Sequence, residues 1–185
     1  MSKSFIGVYD NALTKKECDI LISQFEQSIT GPGHIFHNGE MQLRPEYKKC
    51  MQLDNAQFSN NSIISNILWT AINNNWNKYL KEYPTSRRGQ EKIDDEYSFK
   101  KFDGEDDGYK AWHCEAANSS SAKRVLVWSF YLNNAKSGTE MLYHPNIRAK
   151  IGRCVFFPAA WTHFHRSVTP NKGLKYYVSG WISYE

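Results

Sequence analysis

The feature that most narrows the folds open to this chain is a change of pattern after Pro84. From there on the sequence breaks into short β-type runs at 97–103, 111–116, 124–133, 139–144, 153–157, 162–168 and 174–183, separated by turn residues. Two helical segments precede them. Two helices followed by seven or eight short strands predict an antiparallel sandwich or barrel, mainly β, with the helices packed on one sheet. The chain has 185 residues, of which 41% are hydrophobic and 23% charged, so it can bury a core without a disulfide or metal staple. It reads as one domain over 1–185, with helical N-terminal support over 1–83 and a β-barrel core over 96–183.

In the N-terminal part, Phe5 to Tyr9 reads as a short strand, and Thr14-Lys15-Lys16-Glu17 is a capping box. Cys18, Leu21, Ile22, Phe25 and Ile29 follow at helical spacing, and Gly31-Pro32-Gly33 is expected to end that helix. Residues 30–47 read as an irregular loop. A second helix is expected over about 62–81, burying Ile64, Ile67, Leu68, Ala71, Ile72, Trp76, Tyr79 and Leu80.

Charge and cysteines exclude several classes. The net charge of +4 comes from 23 basic and 19 acidic residues, too small and dispersed an excess for a nucleic-acid surface. The basic pairs Lys15-Lys16, Lys48-Lys49, Arg87-Arg88 and Lys100-Lys101 read as solvated surface. Cys18, Cys50, Cys114 and Cys154 form no C-x-x-C pair and read as reduced, mostly buried thiols rather than a zinc site. No apolar run approaches the roughly 18 residues of a membrane span. With no secretory signal at the start, the expectation is a soluble cytoplasmic protein.

Chemistry concentrates in three segments of the β half. In Tyr109-Lys110-Ala111-Trp112-His113-Cys114-Glu115, residues two apart on a strand point the same way, so His113 and Glu115 share a cavity while Cys114 faces away. The run from Phe156 to Arg166 carries His163 and His165. The third segment sets Lys175, Tyr177, Ser179 and Trp181 on one face, more polar than a core face should be. Two histidines and a carboxylate with coordination positions left open are the facial triad of non-haem iron(II) oxygenases. His-x-Glu alone is a common tripeptide; its place before a β-rich stretch that ends in a histidine and then a lysine gives it weight.

The ordered set is more specific than any member of it. It comprises Gly108-Tyr109, His113-Cys114-Glu115, Tyr131-Leu132-Asn133, Ser137-Gly138-Thr139-Glu140, Gly152-Arg153, Phe157-Pro158, His165 and Lys175. Over about 97–183 it resembles the iron(II)/2-oxoglutarate dioxygenases of the prolyl 4-hydroxylase-like superfamily, and the segment from Phe5 to Cys18 looks like that family's entry helix. Two departures stand out. The acid is Glu115 where aspartate is commoner, and Phe102 stands where many relatives carry a pocket tyrosine. Of the two distal histidines, the family spacing to Lys175 selects His165. His163 becomes a neighbour that packs against Trp161 or contacts substrate.

The resemblance implies a double-stranded β-helix (a jelly-roll or cupin-like barrel) in which His113, Glu115 and His165 hold iron(II). Lys175 would pair with the far carboxylate of 2-oxoglutarate, and Tyr131 would hydrogen-bond the same group. Ser179 and Trp181, in register with Lys175, would line the inner wall. Tyr109 joins the pocket on condition that the segment between it and His113 is irregular. The implied reaction is hydroxylation of an unactivated C–H bond with O2 and 2-oxoglutarate, releasing succinate and CO2, with ascorbate as an accessory reductant. A prolyl residue in a peptide or protein is the first substrate to consider, and a free amino acid or other small molecule the alternative. Nucleic acid is disfavoured, because the residues after Arg166 supply only Lys172 and Lys175. A carboxylate at position 115 argues against a halogenase. The rival from another class is a cupin-like metal-binding module without oxygen chemistry.

Overall fold

The computed structural model describes residues 3–37, 39–54, 62–87, 89–104, 106–168 and 173–185; Arg88 and Lys172 lie outside these. Strand β1 (Gly7–Tyr9) leads into helix α1 (Lys15–Gln27). The capping box forms as the sequence predicts: Glu17 donates its backbone N–H to Thr14 Oγ1 at 3.2 Å, and Thr14 donates its own to Glu17 Oε2 at 2.7 Å. Cys18, Leu21 and Phe25 form the buried face of α1. The helix stops earlier than its apolar spacing suggests. Ser28 caps it, and Ile29 is 86% exposed, so the glycines that follow terminate nothing.

The expected loop over 30–47 contains three short strands, β2 (Gly31–Pro32), β3 (Ile35–His37) and β4 (Glu40–Gln42). Two or three residues carry no readable period, so pairing with neighbours decides their state rather than pattern. β5 (Lys48–Lys49) and β6 (Met51–Asp54) follow, then helix α2 (Ser62–Glu82). The β half comprises β7 (Glu91–Phe102), β8 (Gly108–His113), β9 (Arg124–Tyr131), β10 (Gly138–Met141), β11 (Ile147–Arg148), β12 (Arg153–Pro158), β13 (His165–Val168) and β14 (Lys175–Tyr184).

The strands form two main antiparallel sheets. The larger runs β1-β12-β9-β14-β7-β6-β2 and the smaller β11-β10-β13-β8-β5, with β3 and β4 a separate hairpin. Thus the N-terminal stretch supplies sheet edges as well as helices. Alternation along β9 divides the interior in two. Leu126, Trp128 and Phe130 pack towards the helices with Leu21, Phe25, Leu68 and Ile72, while Val127 and Tyr131 face Met141 and Ile147 of the smaller sheet. This is a jelly roll with the helices on one face. Gly152, at φ 71°, fastens the N-terminal segment: its carbonyl accepts N–H bonds from Ala12 and Leu13, and a Cβ there would lie 2.1 Å from Leu13 O. All four cysteines are free and buried. Among the described residues no helix is long and apolar enough to cross a membrane.

Candidate active site

His113 closes β8 and His165 opens β13, and the two are directly paired across the smaller sheet. Their rings are 4.3 Å apart between centroids. Past His113 the chain leaves the strand. Glu115 is placed by its backbone, whose N–H donates to Ala159 O at 3.1 Å. Alternation therefore fails beyond His113, and Cys114, expected to face away, also borders the cavity. Glu115 still arrives where the sequence predicts. Its Oε1 lies 3.6 Å from Nε2 of each histidine, and one ligand atom from each of the three residues falls within 4.8 Å of the others. One first-row ion about 2.1 Å from each atom allows donor separations up to roughly 4.2 Å, so both carboxylate–imidazole distances fit a shared cation.

The outer contacts aim these donors. His113 Nδ1–H donates to Ala111 O at 2.8 Å and His165 Nδ1–H to His163 O at 3.0 Å, which turns both Nε2 atoms to Glu115, where they would bind a metal as neutral imidazoles or, protonated without one, donate to the carboxylate. Burial, and then the nearby His165 ring, lower the basicity of His113 and favour the neutral imidazole that a metal requires. Burial works against ionising Glu115, yet the facing imidazoles hold its carboxyl well below the usual range. Its Oε2 takes the Trp181 indole N–H at 3.0 Å and lies 3.6 Å from Arg124 Nη1, while the Arg124 guanidinium stacks 3.5 Å over the Trp181 ring.

His163 sits on a different structure from the one its sequence position suggests. Residues 161–163 form a short 3-10 turn, not the start of the strand, so His163 and His165 do not share strand parity. Its Nε2–H donates to Ser4 O at 2.9 Å, its Nδ1 takes the Thr162 hydroxyl at 2.9 Å, and its ring stacks on His144. Both nitrogens are engaged, so this histidine anchors the N-terminal segment. Trp161, at 70% exposed, stands out in solvent.

The triad opens onto a cavity of about 620 Å³, within the usual range for small-ligand sites. Tyr177, Ser179 and Trp181 line one wall of it, as the alternation along β14 predicts. Tyr109 stacks on His113 with centroids 3.7 Å apart. On a regular strand four residues would separate them by about 13 Å. The pairing of β8 with β13 slips here, and Tyr47 O takes the N–H groups of both Lys110 and Ala111, so the required irregularity is present. Lys175 is fully buried just behind the lining. Its ammonium donates to Ser167 Oγ at 2.5 Å and Gly138 O at 3.2 Å, and lies 4.5 Å from the centre of the Phe102 ring. Tyr131 is also behind the wall, its hydroxyl 2.6 Å from Thr139 Oγ1, and Thr139 borders the cavity.

Two residues read as solvated surface are inside. Lys48 and Lys100 both line the cavity, while Lys49 and Lys101 point outward to Asp107 and Glu26. Strand alternation splits each pair. Parity with Phe102 marks Lys100 as inward; for Lys48, on a two-residue strand, the sequence offers no such mark. Arg124 carries no signal of its own in the sequence, because it lies on the run that supplies core side chains.

No protein-family model matches the sequence, and no curated protein matches it either. Solved structures do. A prolyl hydroxylase from Trichoplax adhaerens, in complex with a peptide fragment of the hypoxia inducible factor oxygen degradation domain, superposes with TM-score 0.74 at 14% identity, over 98% of this chain and 84% of that one. The chain has the fold of the prolyl hydroxylases. A Pseudomonas putida prolyl-4-hydroxylase gives TM-score 0.70 at 12% identity over 99% and 94% of the two chains. The viral collagen prolyl hydroxylase of Paramecium Bursaria Chlorella virus-1, in its 2-oxoglutarate complex, gives 0.63 at 14% identity over 98% and 97%. The prolyl hydroxylase fold thus extends across the whole described chain, helices included.

Proposed function

We propose that this chain is an iron(II)- and 2-oxoglutarate-dependent dioxygenase that hydroxylates an unactivated C–H bond. The observation that carries the reading is the convergence of His113, Glu115 and His165, with both imidazoles oriented through Nδ1, on the wall of a cavity in a prolyl hydroxylase fold. The balanced reaction takes R–H, O2 and 2-oxoglutarate to R–OH, succinate and CO2. Bound iron(II) supplies the oxygen chemistry and a chelation point for the keto-acid end of the co-substrate. The rest belongs to the chain. Trp181 and Arg124 hold Oε2 of Glu115 and so fix the direction of Oε1. Lys175 has used two of its three N–H groups on neutral acceptors, leaving one for the distal carboxylate of 2-oxoglutarate. Tyr131 and Thr139 offer hydroxyls beside it. Tyr109 shields one face of His113 from water. A prolyl residue in a peptide is the first substrate to try, supported by the peptide complex of the Trichoplax relative.

Anaerobic addition of iron(II) and 2-oxoglutarate to the purified protein tests this reading. A weak visible charge-transfer band that appears only with both components is the expected result, followed by succinate formation on admission of O2. A protein that binds iron but gives neither signal would be a cupin-like metal-binding module instead.

A further inference from the structure

The two inward lysines carry a consequence for the substrate. Lys100 projects from β7 beside Phe102 and donates to Ser98 Oγ at 2.7 Å and Ser179 Oγ at 2.9 Å. Lys48 projects from β5 and is 6% exposed; it donates to His34 O at 3.0 Å and Gln52 Oε1 at 2.5 Å. Gln52 is the direct cross-strand partner of Lys100, and the two lysines line the same cavity, Lys48 from the smaller sheet and Lys100 from the larger, close enough for the charge of Lys48 to act on Lys100. Each has used two N–H groups on neutral oxygens and keeps a third. Among the described residues no carboxylate forms an ion pair with either, although the outward Lys49 and Lys101 both have acidic partners.

That distribution is the reverse of what stability alone favours, since a sheltered cation needs a counter-charge more than an exposed one does. No acid bordering the cavity pairs directly with either lysine; Glu115 and Asp54 act on both only at a distance. Glu115 is engaged by the imidazoles, Trp181 and Arg124; Glu96 is exposed; Asp54, also exposed, is reached only through Gln52, whose Nε2 donates to it at 2.7 Å. Burial, reinforced by the charge of Lys48, pushes Lys100 down to about 8. Under the proposed reaction both carboxylates of 2-oxoglutarate are already accounted for, one at the metal and one at Lys175. These two lysines remain.

We propose that Lys48 and Lys100, with Ser98, Ser179 and Gln52, form a subsite for an oxyanion, a carboxylate or phosphate borne by the substrate near the carbon to be hydroxylated. This rests on the dioxygenase reading of the same cavity. It narrows the substrate to an acidic small molecule or a peptide with an acidic group close to the reacting residue.

The test loads the protein with zinc(II), as a redox-inert stand-in, and saturating 2-oxoglutarate. It then titrates inorganic phosphate and, separately, acetate by calorimetry at constant ionic strength. Saturable binding of at least one anion is expected, and which one binds tells phosphate from carboxylate. Lys48→Met and Lys100→Met should each weaken that binding tenfold or more, with Lys49→Met and Lys101→Met within twofold of wild type. Affinity for 2-oxoglutarate should stay within threefold in all four variants. Lys100→Arg, which keeps the charge, should retain anion binding and covers the case in which Lys100→Met does not fold. Absence of saturable binding, or binding indifferent to Lys48 and Lys100, would overturn the proposal. So would a loss of 2-oxoglutarate affinity in Lys100→Met as large as the anion loss, which would assign Lys100 to the co-substrate. If the wild type binds no 2-oxoglutarate with metal present, the dioxygenase reading fails instead, and the same anion titrations on metal-free protein still decide whether the two lysines form an oxyanion site.

Discussion

Replacing Lys175 by methionine separates what this residue contributes to the fold from what it contributes to the co-substrate. The ammonium is fully buried against neutral acceptors, and burial pushes it from its ordinary 10.5 to about 8. The gap between the two values is about 3 kcal/mol of cost for keeping the charge in the folded protein near neutral pH. Methionine fills most of the same space and removes that cost. It also loses the hydrogen bonds to Ser167 and Gly138, at about 1 kcal/mol each, with a further penalty for acceptors left in a dry place. The opposing effects nearly cancel, so urea unfolding of the metal-free Lys175→Met protein should differ from wild type by no more than about 1 kcal/mol. Co-substrate binding has no such compensation, because the distal carboxylate would be left unpaired. Affinity for 2-oxoglutarate should fall by roughly 2–4 kcal/mol, thirty-fold to a thousand-fold, while iron affinity is unchanged. The pH dependence follows with a definite sign. The folded-state value lies below the unfolded one, so the unfolded chain holds more protons between about 8 and 10.5, and wild-type stability should rise with pH across that window. Co-substrate affinity should fall as pH rises through about 8, because the anion binds the charged form. Unchanged 2-oxoglutarate affinity in the methionine variant would refute the assignment, and a stability loss above about 3 kcal/mol would show the lysine to be a structural strut.

Other expectations are narrower. His113→Ala and His165→Ala should abolish 2-oxoglutarate turnover, whereas His163→Ala should keep iron binding and lower the melting temperature, since it releases Ser4; metal affinity measured for all three decides it. Glu115→Asp should retain some activity and Glu115→Ala should lose most of it; full activity in the alanine variant would remove Glu115 from the ligand set. Trp181→Phe removes the N–H held by Oε2 of Glu115 and should weaken iron binding by about 10-fold or more, read by competition with a chelating dye. Gly138→Ala would bring a Cβ to 1.8 Å from Ile147 O, so a loss of about 2–3 kcal/mol in unfolding free energy is expected.

The parts of this architecture that could be read from sequence are those with a long enough period or a side chain that names its own role. The capping box at Thr14 and the buried face of α2 belong to the first kind. The second kind is the triad, for which residue chemistry was specific even where local geometry was not: Glu115 reaches the histidines from a turn rather than from the strand that suggested it. What the sequence does not show comes from short elements and from contacts between distant segments. Nothing local to 30–47 specifies three strands, and nothing local to His163 says that its ring will face Ser4.

The lysines show where composition misleads. A basic pair on a helix places both charges at the rim of one exposed face, and solvated surface is then the sound reading. On a strand the same pair is divided by the pleat, and one member must enter whatever lies on the other side of the sheet. For β7 that is a cavity which also contains Ser98, Ser179 and Tyr177. For β5 the partner Tyr109 in β8 brings Lys48 to the opposite wall of the same space, its ammonium 5.6 Å from the centre of the Tyr109 ring. Two pairs that look interchangeable in sequence therefore become two outward lysines with acidic neighbours and two inward ones without. It is the inward pair that distinguishes this cavity from one built only for a metal and a dicarboxylate.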